Sequence, residues 1–250
     1  MAKLIVANWK LHPSSVSAAK KLFLDVKKAL KGVRGVDVVV APSHLYVEPL
    51  SHLALGKTIT IGAQDVFWEN KGSYTGEISP TQLRDLKISY CIVGHSERRR
   101  IGETDEMVAR KIQALLKVHV HPILCVGELE RDQHGNYLSF LERQIVSAFT
   151  DVPSTKAKNI IIAYEPLWAI GKSAKDAINS HSLHETILFI RKVLSHKYSN
   201  KVAFSVRILY GGSVEAENAS GLLSDDLVGG ALVGHASLKP TEFARIVRSA

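Results

Sequence analysis

Eight short, almost uninterrupted apolar runs, at 3–7, 36–41, 58–63, 88–93, 121–126, 159–164, 202–210 and 227–233, constrain this chain more than any other feature. A strand with one wet face alternates apolar and polar residues, so a continuous run implies burial on both faces. Strands buried on both faces pair in parallel beneath helices. The segments between the runs carry helical spacing. Val16, Ala19, Leu22, Phe23, Val26 and Leu30 recur every three or four positions, and Met107, Ile112, Leu115 and Leu116 do so approximately. Pro13-Ser14-Ser15 and Ser79-Pro80 supply helix starts. Eight such units within 250 residues predict an α/β architecture, a closed (β/α)8 barrel occupying residues 1–250 as a single domain. An open doubly wound sheet is the rival, but it calls for a dinucleotide fingerprint or a division into halves. Neither GxGxxG nor GxxxxGK[ST] occurs, and no linker or low-complexity tract marks a boundary.

Composition narrows the function classes. No apolar run approaches the roughly 20 residues of a membrane span, and the stretch after Met1 is too short for a signal peptide. A cytoplasmic protein without membrane contact is therefore expected. Cys91 and Cys125 sit inside apolar runs and read as reduced core thiols, not as a disulfide or a thiolate metal site. His119 and His121 alternate around Val120 without further ligand types beside them, so no metal is expected. The formal net charge is +8 and the pI about 9.4. The cations are dispersed over Lys20-Lys21, Lys27-Lys28, Lys31 and Arg98-Arg99-Arg100, not interleaved with aromatics, which disfavours nucleic acid as a partner. A field that draws a small anionic substrate fits better, beside the plainer reading of a solvated basic surface.

In such a barrel the residues after each strand share one rim, here Asn8 and Lys10, Gln64, His95 and Glu97, Gly127 and Glu128, Glu165, Gly211-Gly212-Ser213, and Gly234-His235. Glu165 precedes Pro166, whose ring holds the preceding residue extended, so the carboxylate is fixed at a strand end and suits a general base. His95 follows a glycine. If a helical turn begins behind it, its amides disfavour the imidazolium, and a neutral ring can donate to a carbonyl and to the enediolate formed from it. Lys10 supplies a fixed positive charge that Glu97 can orient. The two glycine turns after the last strands expose consecutive backbone N–H groups, the chemistry of a phosphate cradle. Each residue also has an ordinary reading: a rim ion pair for Glu165 or for Lys10 with Glu97, a structural histidine, a common turn.

Taken together, Ala7-Asn8-Trp9-Lys10, Tyr74-Thr75-Gly76-Glu77, Gly94-His95-Ser96-Glu97-Arg98-Arg99, Cys125-Val126-Gly127-Glu128, the stretch from Ala163 through Glu165-Pro166-Leu167-Trp168 to Gly171, Tyr210-Gly211-Gly212-Ser213 and Gly234-His235-Ala236-Ser237 resemble the triosephosphate isomerase family, in the family's order. That family is itself the standard illustration of a carboxylate base paired with a neutral histidine, so those roles are carried over from it. The resemblance implies a cofactor-free isomerase of dihydroxyacetone phosphate and glyceraldehyde 3-phosphate. Glu165 shuttles the proton, His95 polarises the carbonyl, and Lys10 with Asn8 stabilises the enediolate. Gly171, Ser213, Gly234 and His235 hold the phosphate through backbone N–H groups, and a lid from Pro166 to about Ala174 closes over the site. It also implies a homodimer, in which the loop of about 64–78, with Gln64, Thr75 and Glu77 and the anchors Phe67, Trp68 and Tyr74, inserts into a partner. An aperiodic loop of that length is long for a compact barrel and suits an interface.

Two positions depart from the family. After Ile170-Gly171 it usually continues Thr-Gly-Lys, whereas Lys172-Ser173-Ala174 stands here, and His235 replaces the second glycine that normally follows Gly234. The lid hinge is altered, and Lys172 or His235 is a candidate to offset weaker lid contacts. A barrel that binds phosphate without turnover is the alternative; the retained Glu165, His95 and Lys10 argue against it, because binding an anion needs no carboxylate base.

Overall fold

Alternate residues of each apolar run point to opposite sides of the chain, and both sides are filled in the computed structural model, which describes residues 2–54, 59–132, 134–169 and 178–250. The strands are β1 (Lys3–Asn8), β2 (Val36–Ala41), β3 (Thr60–Ala63), β4 (Tyr90–Val93), β5 (His121–Val126), β6 (Ile161–Tyr164), β7 (Arg207–Tyr210) and β8 (Gly230–Val233). All are parallel and ordered as in the sequence, and β8 closes on β1 with Leu4 opposite Gly230 and Ala7 opposite Val233. Leu4, Val6, Val39, Ile92, Ile123, Cys125, Ile161, Leu209 and Leu232 form one cluster that fills the barrel. Their neighbours Ile5, Ala7, Val38, Val40, Leu124, Ile162 and Ile208 belong to a second layer under the helices. Two buried faces explain why the runs are continuous, and closure leaves no sheet edge to protect.

The helices are α1 (Val16–Ala29), α2 (His44–Ser51), α3 (Pro80–Asp85), α4 (Ser96–Arg100), α5 (Asp105–Lys117), α6 (Asn136–Ala148), α7 (Ser154–Ala157), α8 (Ser180–Lys197), α9 (Asn200–Ser205), α10 (Ala219–Leu223) and α11 (Pro240–Arg248). Both expected starts hold: the Ser15 hydroxyl accepts the Ala18 amide, and Ser79 with Gln82 makes a reciprocal capping box around Pro80. Helix α1 buries Ala19, Phe23 and Val26, with Leu30 buried just beyond its end, and leaves Val16 exposed.

The run at 202–210 is not a single strand. The Ser199 hydroxyl accepts the Val202 amide and starts α9, so β7 begins only at Arg207. Strand β3 begins at Thr60; Thr58, the expected start, lies outside the described residues. Residues 64–78 contain neither helix nor strand. The Phe67 amide donates to the Ile78 carbonyl across the loop base (2.8 Å), and the Phe67 ring lies 4.0 Å from Trp68 and 4.6 Å from Tyr74. Cys91 and Cys125 are free and buried. Among the described residues no helix is long and apolar enough to cross a membrane.

Candidate active site

At the carboxyl rim the first strand ends in Asn8, whose Oδ1 accepts the Lys10 amide at 3.0 Å. Lys10 has φ +51°, in the left-handed region that a side chain disfavours. Gln64 Nε2 donates to the Lys10 and Ala41 carbonyls, both at 2.9 Å, and so ties this turn to the end of β2. The strained turn aims the ammonium at Glu97, with Nζ 2.7 Å from Oε1. Partial burial pushes the Glu97 carboxyl up, but the hydrogen bond and charge of Lys10 outweigh it and hold the group below its ordinary value.

His95 caps α4. Its Nδ1 accepts the Glu97 amide at 3.2 Å, so in the neutral ring the proton resides on Nε2. Nε2 faces Glu165 Oε1 at 3.3 Å, while the other carboxylate oxygen, Oε2, accepts the Ser96 amide at 3.3 Å. Both side chains are nearly enclosed, with 7% of His95 and 2% of Glu165 accessible. Burial, reinforced by the charge of Glu165, drives the Cys125 thiol well above its ordinary value, so it stays protonated and donates toward that carboxylate. Glycine is required at 211, where a Cβ would lie 2.8 Å from Glu165 Cγ.

Behind Glu165, Glu128 gathers the start of the next segment. Its Oε1 accepts Tyr164 Oη (2.8 Å), Trp168 Nε1 (2.9 Å) and Arg131 Nε (3.3 Å), and its carbonyl accepts the Leu167 amide (2.9 Å). Burial and this carboxylate raise the Tyr164 phenol far above its ordinary value, so it remains a donor. Asn8, Lys10, His95 and Glu165 open onto a cavity of about 410 Å3 whose far wall is Gly211-Gly212-Ser213, Gly234 and His235. Ser213 Oγ donates to the Ala169 carbonyl at 2.8 Å. Gly234 precedes a 3-10 turn, His235–Leu238, and its carbonyl accepts both the amide (2.9 Å) and the hydroxyl (2.6 Å) of Ser237. A carboxylate, an imidazole, an ammonium and two runs of small residues thus surround one volume.

A model of the triosephosphate isomerase family matches residues 3–250. The chain belongs to the triosephosphate isomerase family. It is 42% identical over 247 residues to the triosephosphate isomerase of Pelobacter propionicus, covering 98% of this chain and 97% of that one. It is 41% identical over 250 residues to that of Thermoanaerobacter pseudethanolicus, covering 98% of each, and 38% identical over 249 residues to that of Dictyoglomus turgidum, covering 99% of each.

Of the residues singled out by likeness to triosephosphate isomerase, Asn8, Lys10, His95, Glu165, Ser213, Gly234 and His235 line the one cavity. Glu97 lies in a neighbouring cavity of about 270 Å3, which shares Asn8, Lys10 and His95 and continues to His44, Gln64, Asp65 and Glu77. Gly171 and the altered stretch Lys172-Ser173-Ala174 lie outside the described residues. Sequence reasoning gave no role to the Ser96 amide, to the Cys125 thiol beside Glu165, or to Lys239, Glu215 and Glu242 on the cavity wall. It also overlooked a buried charge cluster beneath the second cavity. Lys111 Nζ lies 2.5 Å from Glu103 and 2.7 Å from Asp65, whose other oxygen is 2.8 Å from Arg98 Nε. The available signal was a lysine on the apolar face of α5, between Val108 and Ile112.

Proposed function

We propose that this chain interconverts dihydroxyacetone phosphate and D-glyceraldehyde 3-phosphate without a cofactor, through an enediolate, with Glu165 as base and His95 as electrophile. The observation that carries the reading is an enclosed carboxylate with the His95 Nε2 3.3 Å away, both opening onto a cavity that also holds a lysine. Glu165 takes the proton from the hydroxymethyl carbon, and the C–H electrons form the carbon–carbon double bond as negative charge grows on the former carbonyl oxygen. His95 Nε2–H and Lys10 Nζ stabilise that charge, with Asn8 holding the Lys10 turn. His95 passes its Nε2 proton to that oxygen and recovers one from the neighbouring hydroxyl, while Glu165 returns its proton to the second carbon. To begin, the carboxylate must leave the Ser96 amide and the histidine donor.

The phosphate is assigned to the amides around Ser213, Gly234 and His235, with Gly171 contributing from a lid of about 166–174. Glu97 is a positioning residue that acts through Lys10. A homodimer is proposed through the loop of 64–78. The tip residues Tyr74, Thr75 and Glu77 are exposed, three aromatic rings stiffen the loop, and the cavity beside Glu97 gives a partner's loop a place next to the site. A cytoplasmic location belongs to the same proposal.

The test is turnover of glyceraldehyde 3-phosphate by the purified protein and by Glu165→Asp, with inorganic phosphate followed in parallel. Shortening the side chain withdraws the base by roughly the misplacement that costs about 10²-fold, so kcat falls by at least that much while the KM changes little. Wild-type protein that binds 2-phosphoglycolate but does not turn over would make this a phosphate-binding barrel instead.

A further inference from the structure

At the end of the barrel opposite the rim, a cavity of about 300 Å3 opens where the chain runs into β1, β7 and β8, against α8 and α9. Its walls carry three cations, Lys3, Arg191 and Arg207, against one carboxylate, Asp226. Arg191 is buried, with 7% accessible, and makes no ion pair among the described residues. Its Nη1 donates to the carbonyls of Ala203 (2.7 Å) and Val206 (3.2 Å), Nη2 reaches that of Leu227 at 3.5 Å, and among the described residues Nε has no hydrogen-bond partner. Asp225, whose charge acts on Arg191, is engaged by His184 Nδ1 (2.7 Å) and the Leu227 amide (2.8 Å). Among the described residues Lys3 Nζ donates to carbonyls, those of Asp225 (2.9 Å) and Val228 (2.7 Å), and Arg207 reaches Asp37 at 3.3 Å. Gly229 lets the Arg207 side chain lie against the backbone here. A Cβ there would come within 2.5 Å of Arg207 Cγ.

Capping carbonyls explains where Lys3 and Arg191 point, and the Arg191 guanidinium also lies 4.8 Å from the Phe204 ring centroid, but carbonyls and a ring face carry partial charge, and a guanidinium taken out of water calls for a full counter-charge. The Arg207 guanidinium, the Lys3 ammonium and what remains of the Arg191 Nη2 donor capacity surround one polar volume and match the oxygens of a tetrahedral anion. We propose that this cavity binds a small, multiply charged oxyanion of the phosphate or pyrophosphate type, held by Arg191, Arg207 and Lys3, separately from the triose phosphate. The bound anion ties the starts of three strands to α8 and α9. It therefore raises stability in proportion to its concentration over its Kd and leaves the chemistry at the far rim unchanged.

Inorganic pyrophosphate is the probe, titrated calorimetrically at constant ionic strength into protein whose rim site is saturated with 2-phosphoglycolate. We expect one pyrophosphate per chain, a matching rise in Tm, and a Kd about tenfold weaker in Arg207→Gln and in Lys3→Gln, whose kcat/KM stays within about twofold of wild type and so reports intact folding. No heat or Tm shift beyond a chloride control overturns the proposal. So does equal affinity in both variants, or loss of pyrophosphate binding when 2-phosphoglycolate is present.

Discussion

Glu97 shows how one side chain ties the electrostatics of the site to its geometry. Burial alone would raise its carboxyl, yet the Lys10 hydrogen bond and charge set it below its ordinary value of 4.5. A group depressed in the native state stabilises it fully above the unfolded value and loses that contribution as pH falls through the native one. Wild type is therefore expected to exceed Glu97→Gln in unfolding free energy at pH 7 by about 1 kcal/mol or less, the pair being solvent-screened. Denaturant titrations should show that difference disappearing as the pH drops below about 4.5; a difference that holds constant to about pH 3 would separate Glu97 from Lys10. Much at this scale is legible in the sequence, because a strand-ending Glu-Pro and a Gly-His before polar residues are local patterns. The tautomer of His95 is not, since it depends on the Glu97 amide folding back to 3.2 Å from Nδ1.

At the scale of elements, the strands are readable as runs and their limits are not. Val202 and Phe204 carry strand-like side chains, but Ser199 accepts the Val202 amide and a local cap wins over β propensity. Lys111 is the converse: helical periodicity places it among Val108, Ile112 and Leu115, and only the tertiary partners Glu103 and Asp65 make a buried ammonium tolerable. This cluster ties α5 to the loop that follows β3. Lys111→Met leaves the enclosed Glu103 carboxylate without a counter-charge and Asp65 with Arg98 alone, so we expect a loss of about 3–5 kcal/mol in unfolding free energy. Adding Glu103→Leu should recover part of it, because the remaining carboxylate still has Arg98 at 2.8 Å. A single variant within about 0.5 kcal/mol of wild type in chemical denaturation would show that the cluster carries no such weight.

For the whole molecule, closure of eight parallel strands brings residues as distant as Asn8 and Gly234 onto one cavity, and that convergence follows from topology, not from any local motif. The sequence pattern contains it because the runs are eight and continuous. The surface charge of +8 belongs to the same scale. A basic molecule with an ammonium at the mouth of its site attracts a phosphorylated triose over a distance set by the Debye length, about 10 Å at 0.1 M salt. The kcat/KM for glyceraldehyde 3-phosphate should therefore fall severalfold as sodium chloride rises from about 10 mM to 0.2 M. Uncharged glyceraldehyde, turned over slowly for want of the phosphate contacts, should show no such dependence. If both substrates respond alike, salt is acting on the fold or the lid and not on encounter; if neither responds, the basic surface is solvated charge without a part in catalysis.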